Sequence, residues 1–410
     1  MLDVFLHGRL VGTLRRKEDS GNLQFRYDPA YVEDGGPPLS QNMPIRSEAY
    51  PPRACLAFFG NLLPEEDVRT QMALATGISV NNDYRLLERF GGDVAGAVTL
   101  LPEGETGSPE PGTLELISDE RLDELLVNLP QRPFAADEDG EIRLSLAGAQ
   151  QKLPVVETED GFALPHGSQS PTTHILKPEP ARFPALVANE FFCMRLAAEV
   201  GLLVSEVRRA HTLSGLAFLV VTRYDRDLTQ EPIRRLHQED LCQALGRLPS
   251  EKYQQDGGPT LRDAVDLIDR VSAVPARDRQ QLWLALVFNV LIGNCDAHGK
   301  NYSLLYDSPA PSLAPLYDLV STAVYPPLTT RLAMSIDGAR RLEAVDPAAW
   351  RILADDVGFS SRYIQQRMLP FVADVVSAAG ALAGRGEHDA PVVATIVDGI
   401  RTRAGRLLGE

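Results

Sequence analysis

The sequence predicts an α+β protein of two or three folding units, on three observations. Its 410 residues exceed what one hydrophobic core usually supports. Short segments at 4–6, 10–14, 23–27, 142–146, 153–156 and 172–177 are apolar or alternate in polarity, as strands do. Between and after them lie stretches with helical patterning, at 54–63, 122–129, 189–200 and 282–292.

Taken in order, 4–6 and 10–14 flank His7 and Gly8 as the arms of a hairpin would, and 23–27 alternates like a third strand. Gly and Pro at 35–38 punctuate the chain. A helical piece at 54–63 and a closing strand at 97–101 complete a first unit, expected over 1–105. The following stretch is rich in Pro, Gly and acid, and a linker is expected at 106–113. Ser118 can cap a helix whose Leu122, Leu125, Leu126 and Leu129 form one buried stripe. Strands at 142–146 and 153–156 enclose the small residues Ala147, Gly148 and Ala149 with Gln150, Gln151 and Lys152. Such a loop lets backbone amides approach an anion closely, although taken alone it reads rather as a plain hairpin turn. A strand at 172–177 ends in Lys177, and Gly201 closes the helix at 189–200, which carries Glu190. The stretch 282–292 is nearly all apolar and too short to cross a bilayer, so it reads as a core helix.

Composition narrows the function classes. With 44% hydrophobic and 23% charged residues the chain reads as globular, and its net charge of −16 argues against a free-standing nucleic-acid binder, which needs a basic face. Arg15, Arg16 and Lys17 make one basic spot, which reads as a solvated hairpin face. Cys55, Cys193, Cys242 and Cys295 are scattered in apolar surroundings without a CxxC pair, and are expected to be reduced core residues. The first residues turn polar at His7 before an apolar stretch of useful length develops. No export signal or membrane span is expected, and the cytoplasm is the expected compartment.

The chemistry points to Asp296, Asn301 and Asp318. The core helix delivers a loop with Asp296, His298, Gly299, Lys300 and Asn301, and Asp318 follows one apolar strand later, next to Tyr317. Protein kinases space a catalytic carboxylate and a metal-binding amide as Asp-x4-Asn, with a second Asp one hairpin on. Phosphoryl transfer needs one carboxylate to orient the attacking hydroxyl and two oxygen donors to hold Mg²⁺ against the phosphates of ATP. His298 and Lys300 could offset charge on the moving group. An ordinary polar loop has similar composition, and a metal hydrolase with Asp296, His298 and Asp318 as ligands is a further reading, disfavoured because no second His lies at ligand spacing. What tips the balance is order. A glycine loop, Lys177 on a strand, Glu190 on the next helix, Asp-x4-Asn and a final Asp run from small lobe to large as in a kinase.

These residues carry a resemblance that runs nearly end to end. The stretches FFGNLLP at 58–64, GAVTLLP at 96–102, SLAGAQ at 145–150, TTHILK at 172–177, QEDLCQ at 238–243, DGGP at 256–259 and DAHGKN at 296–301 resemble, in this order, the HipA family of bacterial toxin kinases. The resemblance implies a protein-kinase-like two-lobe fold of the lipid-kinase-like variant: a small N-terminal β-rich subdomain, a β-rich nucleotide-binding lobe at 114–230 and an all-helical catalytic lobe at 231–410. It implies Asp296 as catalytic base assisted by His298 and Lys300, and Asn301 and Asp318 as Mg²⁺ ligands. Contacts to ATP are implied for Lys177, the phosphate loop from Ala147 to Lys152, Gly299 and Tyr317, and for a hinge of Thr222, Arg223 and Tyr224 that meets adenine. The hinge departs from the family's Glu-Arg-Phe at Thr222. Ser145 matches a serine that members autophosphorylate, and adding about −2 charge beside a phosphate loop would disable the kinase. The family further implies a helix-turn-helix antitoxin of the HipB kind that carries the complex to operator DNA, an aminoacyl-tRNA synthetase as protein substrate, and growth arrest. A small-molecule phosphotransferase and a non-catalytic nucleotide-binding corepressor are the rival readings.

Overall fold

In the computed structural model, residues 1–17, 21–105, 113–131, 133–135, 144–148, 150–166, 171–308, 310–388 and 390–408 are described, and the chain forms two compact units. The first comprises 1–178, 210–249 and 305–309; the second, 179–209, 250–304 and 310–410.

The first unit opens with β1 (Leu2–Leu6), β2 (Arg9–Arg16) and β3 (Leu23–Tyr27). His7 and Gly8 both have positive φ and join β1 to β2 as a two-residue turn, the geometry that matches strand twist. Helix α1 (Pro52–Phe59) follows, and β4 (Val98–Pro102) closes a sheet of order β3-β2-β1-β4. Gly12 in β2 is obligatory, because a Cβ there would lie 2.3 Å from the Arg26 carbonyl and 2.7 Å from the Phe25 ring.

Beyond residues 106–112, where most of the expected linker lies outside the described residues, come β5 (Thr113–Leu116) and α2 (Asp119–Asn128). The Ser118 hydroxyl caps α2 as expected, and Leu122, Leu125, Leu126 and Leu129 are buried. The strands β6 (Leu153–Thr158), β7 (Gly161–His166), β8 (His174–Pro178) and β9 (Ala217–Thr222) then run as neighbours in the order β5-β7-β6-β8-β9. Of the strand expected at 142–146, residues 142 and 143 lie outside the described residues; Leu144 makes a single parallel bridge to Asp93 and the Ser145 N–H bonds the Asp93 carbonyl. The backbone there is spent on one loop rather than on a strand ladder. One apolar cluster runs from Leu2 and Val98 through Phe58, Phe59 and Leu126 to Val155, Leu176 and Phe218. One face of each sheet closes on this same core.

The second unit is mainly helical: α3 (Leu186–Glu199), α4 (Leu261–Val271), α5 (Pro275–Ile292), α6 (Leu369–Ala383) and α7 (Pro391–Leu408). Helix α5 is the centre, touching α4, α6 and α7, and most residues from Leu282 onward are buried. A helix covered on all sides has no polar face, which is why 282–292 reads as continuously apolar. Gly293, with φ +76°, ends it in the left-handed conformation that favours glycine. A hairpin of β10 (Arg331–Ile336) and β11 (Ala339–Arg341) stands beside the helices in sequence. Among the described residues no helix is long and apolar enough to cross a membrane.

Candidate active site

In the second unit the Gly293 turn throws the chain directly into the loop that bears the chemistry. Asn294 fixes this loop from behind: its amide donates to Asn289 Oδ1 (2.8 Å), and its own oxygen accepts the Asp296 N–H (3.1 Å). Asp296 itself is exposed, while its neighbours Cys295, Ala297, His298 and Lys300 are buried. One carboxylate therefore projects from an otherwise packed loop. At the far end the Asn301 side-chain oxygen accepts the His298 N–H (3.1 Å), and the Asn301 N–H returns to the His298 carbonyl (2.9 Å). An amide oxygen has two lone pairs, so this bond leaves Asn301 one for a metal.

Asp318 is brought to the same loop by bonds on both of its flanks. Before it, the Tyr317 hydroxyl donates to the Lys300 carbonyl (2.7 Å) and lies 2.7 Å from the Ser303 hydroxyl. After it, Ala323 N–H donates to the Gly293 carbonyl (3.0 Å), and the Thr322 hydroxyl accepts the Cys295 N–H (2.8 Å). Asn189 on α3 holds the intervening Ser321 through both backbone groups, at 3.0 and 2.8 Å. Asp318 adopts φ +54°, a conformation costly for a non-glycine residue that persists only where its surroundings impose it. The structure thus brings Asp296, Asn301 and Asp318 onto two segments bound together at both ends. Arg403 of α7 braces the same region, its Nε donating to the Leu291 carbonyl (2.7 Å) in the last turn of α5; burial pulls its guanidinium down to about 10.

In the first unit, Gly148 has φ +110°, and Lys152 curls back so that its ammonium donates to the Ala147 carbonyl (2.6 Å). A Cβ on Gly148 would lie 2.9 Å from the Lys152 nitrogen, so the turn and the lysine form one tight cradle. Gln150 and Gln151 are half-buried beside it, the Gln151 side-chain oxygen being a buried acceptor without a partner; Ala149 lies outside the described residues. Ser145 is fully buried, its hydroxyl donating to the Leu62 carbonyl (3.3 Å). Lys177 is buried in the middle of the sheet, with its backbone opposite Leu219 of β9.

Of the expected hinge, Thr222 ends β9 opposite His174 and the Tyr224 hydroxyl donates to Gln238. The Arg223 side chain is committed elsewhere, and any contact with adenine would fall to its backbone. It bonds both oxygens of Asp225 (2.9 and 2.8 Å), Thr172 (2.8 Å) and the Val94 carbonyl (3.0 Å), and pairs with Asp93. Arg226 and Arg235 join the cluster through Asp93 (2.7 and 3.2 Å). Burial opposes ionisation of Asp93, yet three guanidiniums outweigh it and hold the carboxyl well below its usual range; Asp225 falls to about 2 against the same penalty. Sequence reading missed this cluster. The Arg-Tyr-Asp-Arg run at 223–226 hints at paired charge, whereas nothing around Asp93 marks it as the central acid.

In the first unit the Gly148–Lys152 turn has the chemistry to suit an anion; in the second, the Asn301 and Asp318 oxygens are hard donors of the kind magnesium takes. Among the described residues no three His, Cys, Asp or Glu side chains gather as a metal cage, the arrangement that the hydrolase reading requires. Residues 144–380 match the HipA-like C-terminal domain family and residues 2–101 the HipA N-terminal domain family. The chain belongs to the HipA family. The Shewanella oneidensis serine/threonine-protein kinase toxin HipA is 33% identical over 349 residues, covering 82% of this chain and 78% of that protein. The Sinorhizobium fredii protein Y4mE, whose name carries a provisional assignment as a kinase, is 45% identical over 385 residues, covering 92% and 90%. In solved structures the fold is similar to the S. oneidensis toxin–antitoxin complex of HipA, HipB and operator DNA, with TM-score 0.85 and 27% identity over 100% of this chain and 98% of that one. The fold is accordingly the kinase-like one of HipA, and the enzyme class is protein serine/threonine kinase.

Proposed function

We propose that this HipA-family kinase transfers the γ-phosphoryl group of ATP to a serine or threonine of an aminoacyl-tRNA synthetase in the cytoplasm, and so arrests growth as the toxin of a toxin–antitoxin pair. The observation that carries the reading is the double tether of the Asp318 segment to the loop bearing Asp296 and Asn301. Asp296 accepts the proton of the acceptor hydroxyl as its oxygen bonds the γ-phosphorus and the bond to the β,γ-bridging oxygen breaks, releasing ADP. Asn301 and Asp318 would hold Mg²⁺, which when bound neutralises phosphate charge. Lys177 and the Gly148–Lys152 cradle grip phosphate oxygens, and His298 and Lys300 add positive potential at the transferring group.

Ser145 fits the role of off-switch. A fully buried hydroxyl cannot be phosphorylated where it sits, so modification requires the 144–148 segment to leave its packing, and a dianion cannot return to a space sized for a hydroxyl. Gly148 would then be withdrawn from nucleotide. A helix-turn-helix antitoxin of the HipB kind supplies neutralisation, and the acidic chain reaches operator DNA only through it, consistent with the net charge of −16.

The test is expression of wild type and Asp296→Asn without antitoxin, followed by a proteome-wide search for new phosphoserine and phosphothreonine. Growth arrest with a synthetase phosphosite in wild type alone is expected. Arrest by both proteins alike, or labelling of a metabolite and no protein, overturns the proposal.

A further inference from the structure

Tyr253 sits in none of the roles above, yet its hydroxyl donates to Asp296 Oδ1 at 2.7 Å. We infer that Tyr253 is a positioning residue for the catalytic carboxylate, holding Asp296 in the rotamer that faces an acceptor hydroxyl. The inference rests on the kinase reading of Asp296.

An exposed carboxylate would otherwise sample its staggered rotamers, and only one of these can aim an oxygen at the acceptor. Tyr253 engages one oxygen and leaves the second to take the proton. The tyrosine ring is itself contacted by two neighbours. The His298 ring meets it edge-on at 5.3 Å between centroids, and the Lys252 ammonium stands 5.2 Å from its ring centre. The Gly299 N–H bonds the Lys252 carbonyl (3.2 Å), so the chain beside the tyrosine is fastened to the catalytic loop.

Strand β10 acts as a common ruler for both partners. Its Ala333 N–H donates to the Cys295 carbonyl (2.9 Å), next to Asp296. Its Ser335 N–H and hydroxyl donate to Gln254 Oε1 (2.8 and 3.1 Å), next to Tyr253. Gly258 keeps the tyrosine's turn closed: its N–H bonds the Tyr253 carbonyl (2.9 Å), and a Cβ there would lie 2.5 Å from the Glu251 carbonyl oxygen and 2.7 Å from the Tyr253 carbonyl. This gives physical content to the DGGP stretch at 256–259, whose second glycine lies where a side chain would run into backbone. Donor and acceptor are thus each built onto rigid backbone, the requirement for a preorganised site.

The experiment compares wild type, Tyr253→Phe, Gly258→Ala and Asp296→Asn, using radiolabelled ATP and myelin basic protein as a generic acceptor. A hydrogen bond to a charged group is worth roughly tenfold to hundredfold in rate when it acts in the transition state. Tyr253→Phe is expected to lower kcat by that factor, with the KM for ATP and the thermal midpoint unchanged. Gly258→Ala, which displaces the tyrosine but retains its hydroxyl group, is expected to shift kcat the same way. An unchanged kcat in Tyr253→Phe, a raised KM for ATP in place of a lowered kcat, or faster phosphorylation of the acceptor, which would mean the hydroxyl had been occluding Asp296, each overturns the inference. A wild type without transfer, or an Asp296→Asn variant as active as wild type, brings down the kinase reading and this inference with it.

Discussion

Replacing Asp93 by Asn should destabilise the first unit more than any change to its surface charges. The substitution keeps the shape of the side chain and removes one negative charge from a cluster of three arginines and two aspartates, all buried except the half-buried Arg235. Asp93 Oδ1 takes Arg226 at 2.7 Å and Arg235 at 3.2 Å, while Oδ2 accepts the Thr172 N–H (3.0 Å) and hydroxyl (2.6 Å). Asn can keep part of the Thr172 contact, but of the cluster's two carboxylates only Asp225 then remains against three guanidiniums. Breaking a buried pair by removing one partner costs about 3–5 kcal/mol. For a unit of this size that corresponds to a fall in Tm of roughly 10 °C. The pH dependence supplies a second check. The folded-state pKa lies below the ordinary value of 3.8, so the stabilisation is fully present above that value and is lost as pH falls further. The difference between wild type and Asp93→Asn should therefore be full at pH 7 and shrink below about pH 4. Thermal and urea unfolding at both pH values measure it, with Asp34→Asn, which breaks the exposed Arg9 pair, as a control expected to change nothing measurable. A loss below about 1 kcal/mol at pH 7, or a loss equal at both pH values, would refute the account of the cluster.

Gly148→Ala places a Cβ against the Lys152 ammonium and imposes a backbone conformation alanine resists, so the KM for ATP should rise about tenfold with little change in kcat, read by initial rates. Glu239, to which Ser40, Tyr306 and the Gln41 N–H donate, is pushed by burial from 4.5 up to about 7. The folded state holds that proton longer than the unfolded chain, so its stabilisation is full below 4.5 and is lost as pH rises toward 7. Glu239→Gln should accordingly flatten the fall in stability over that window, about 3 kcal/mol at most, in melts at stepped pH. Arg403→Ala leaves the Leu291 carbonyl without its donor, which should cost about 1–3 kcal/mol by urea unfolding. It should also lower kcat through the loop that follows.

Periodicity and turn chemistry were legible along the chain. The 7–8 turn, the Ser118 cap, the Lys177 strand and the apolar helix ending at Gly293 all depend on residues within a few positions of one another, and each formed. At 144–146 the pairing depends on what lies opposite. Asp93, some fifty positions earlier by number, bridges Leu144 and accepts the Ser145 N–H on its carbonyl, a partnership no local pattern announces.

The sequence by itself pointed to the kind of chemistry: Asp296, Asn301 and Asp318 are hard oxygen donors of the kind that phosphoryl transfer uses, and their spacing is a local property of one loop and one hairpin. Only the tertiary structure decided how those groups are aimed. The Tyr253 hydroxyl, the Thr322 and Asn189 clamps, the Arg403 brace and the Asp93 cluster each join residues distant in the chain. A hydrogen bond or ion pair is a fact of position, and residues far apart in sequence acquire a shared position only when the chain closes on its core.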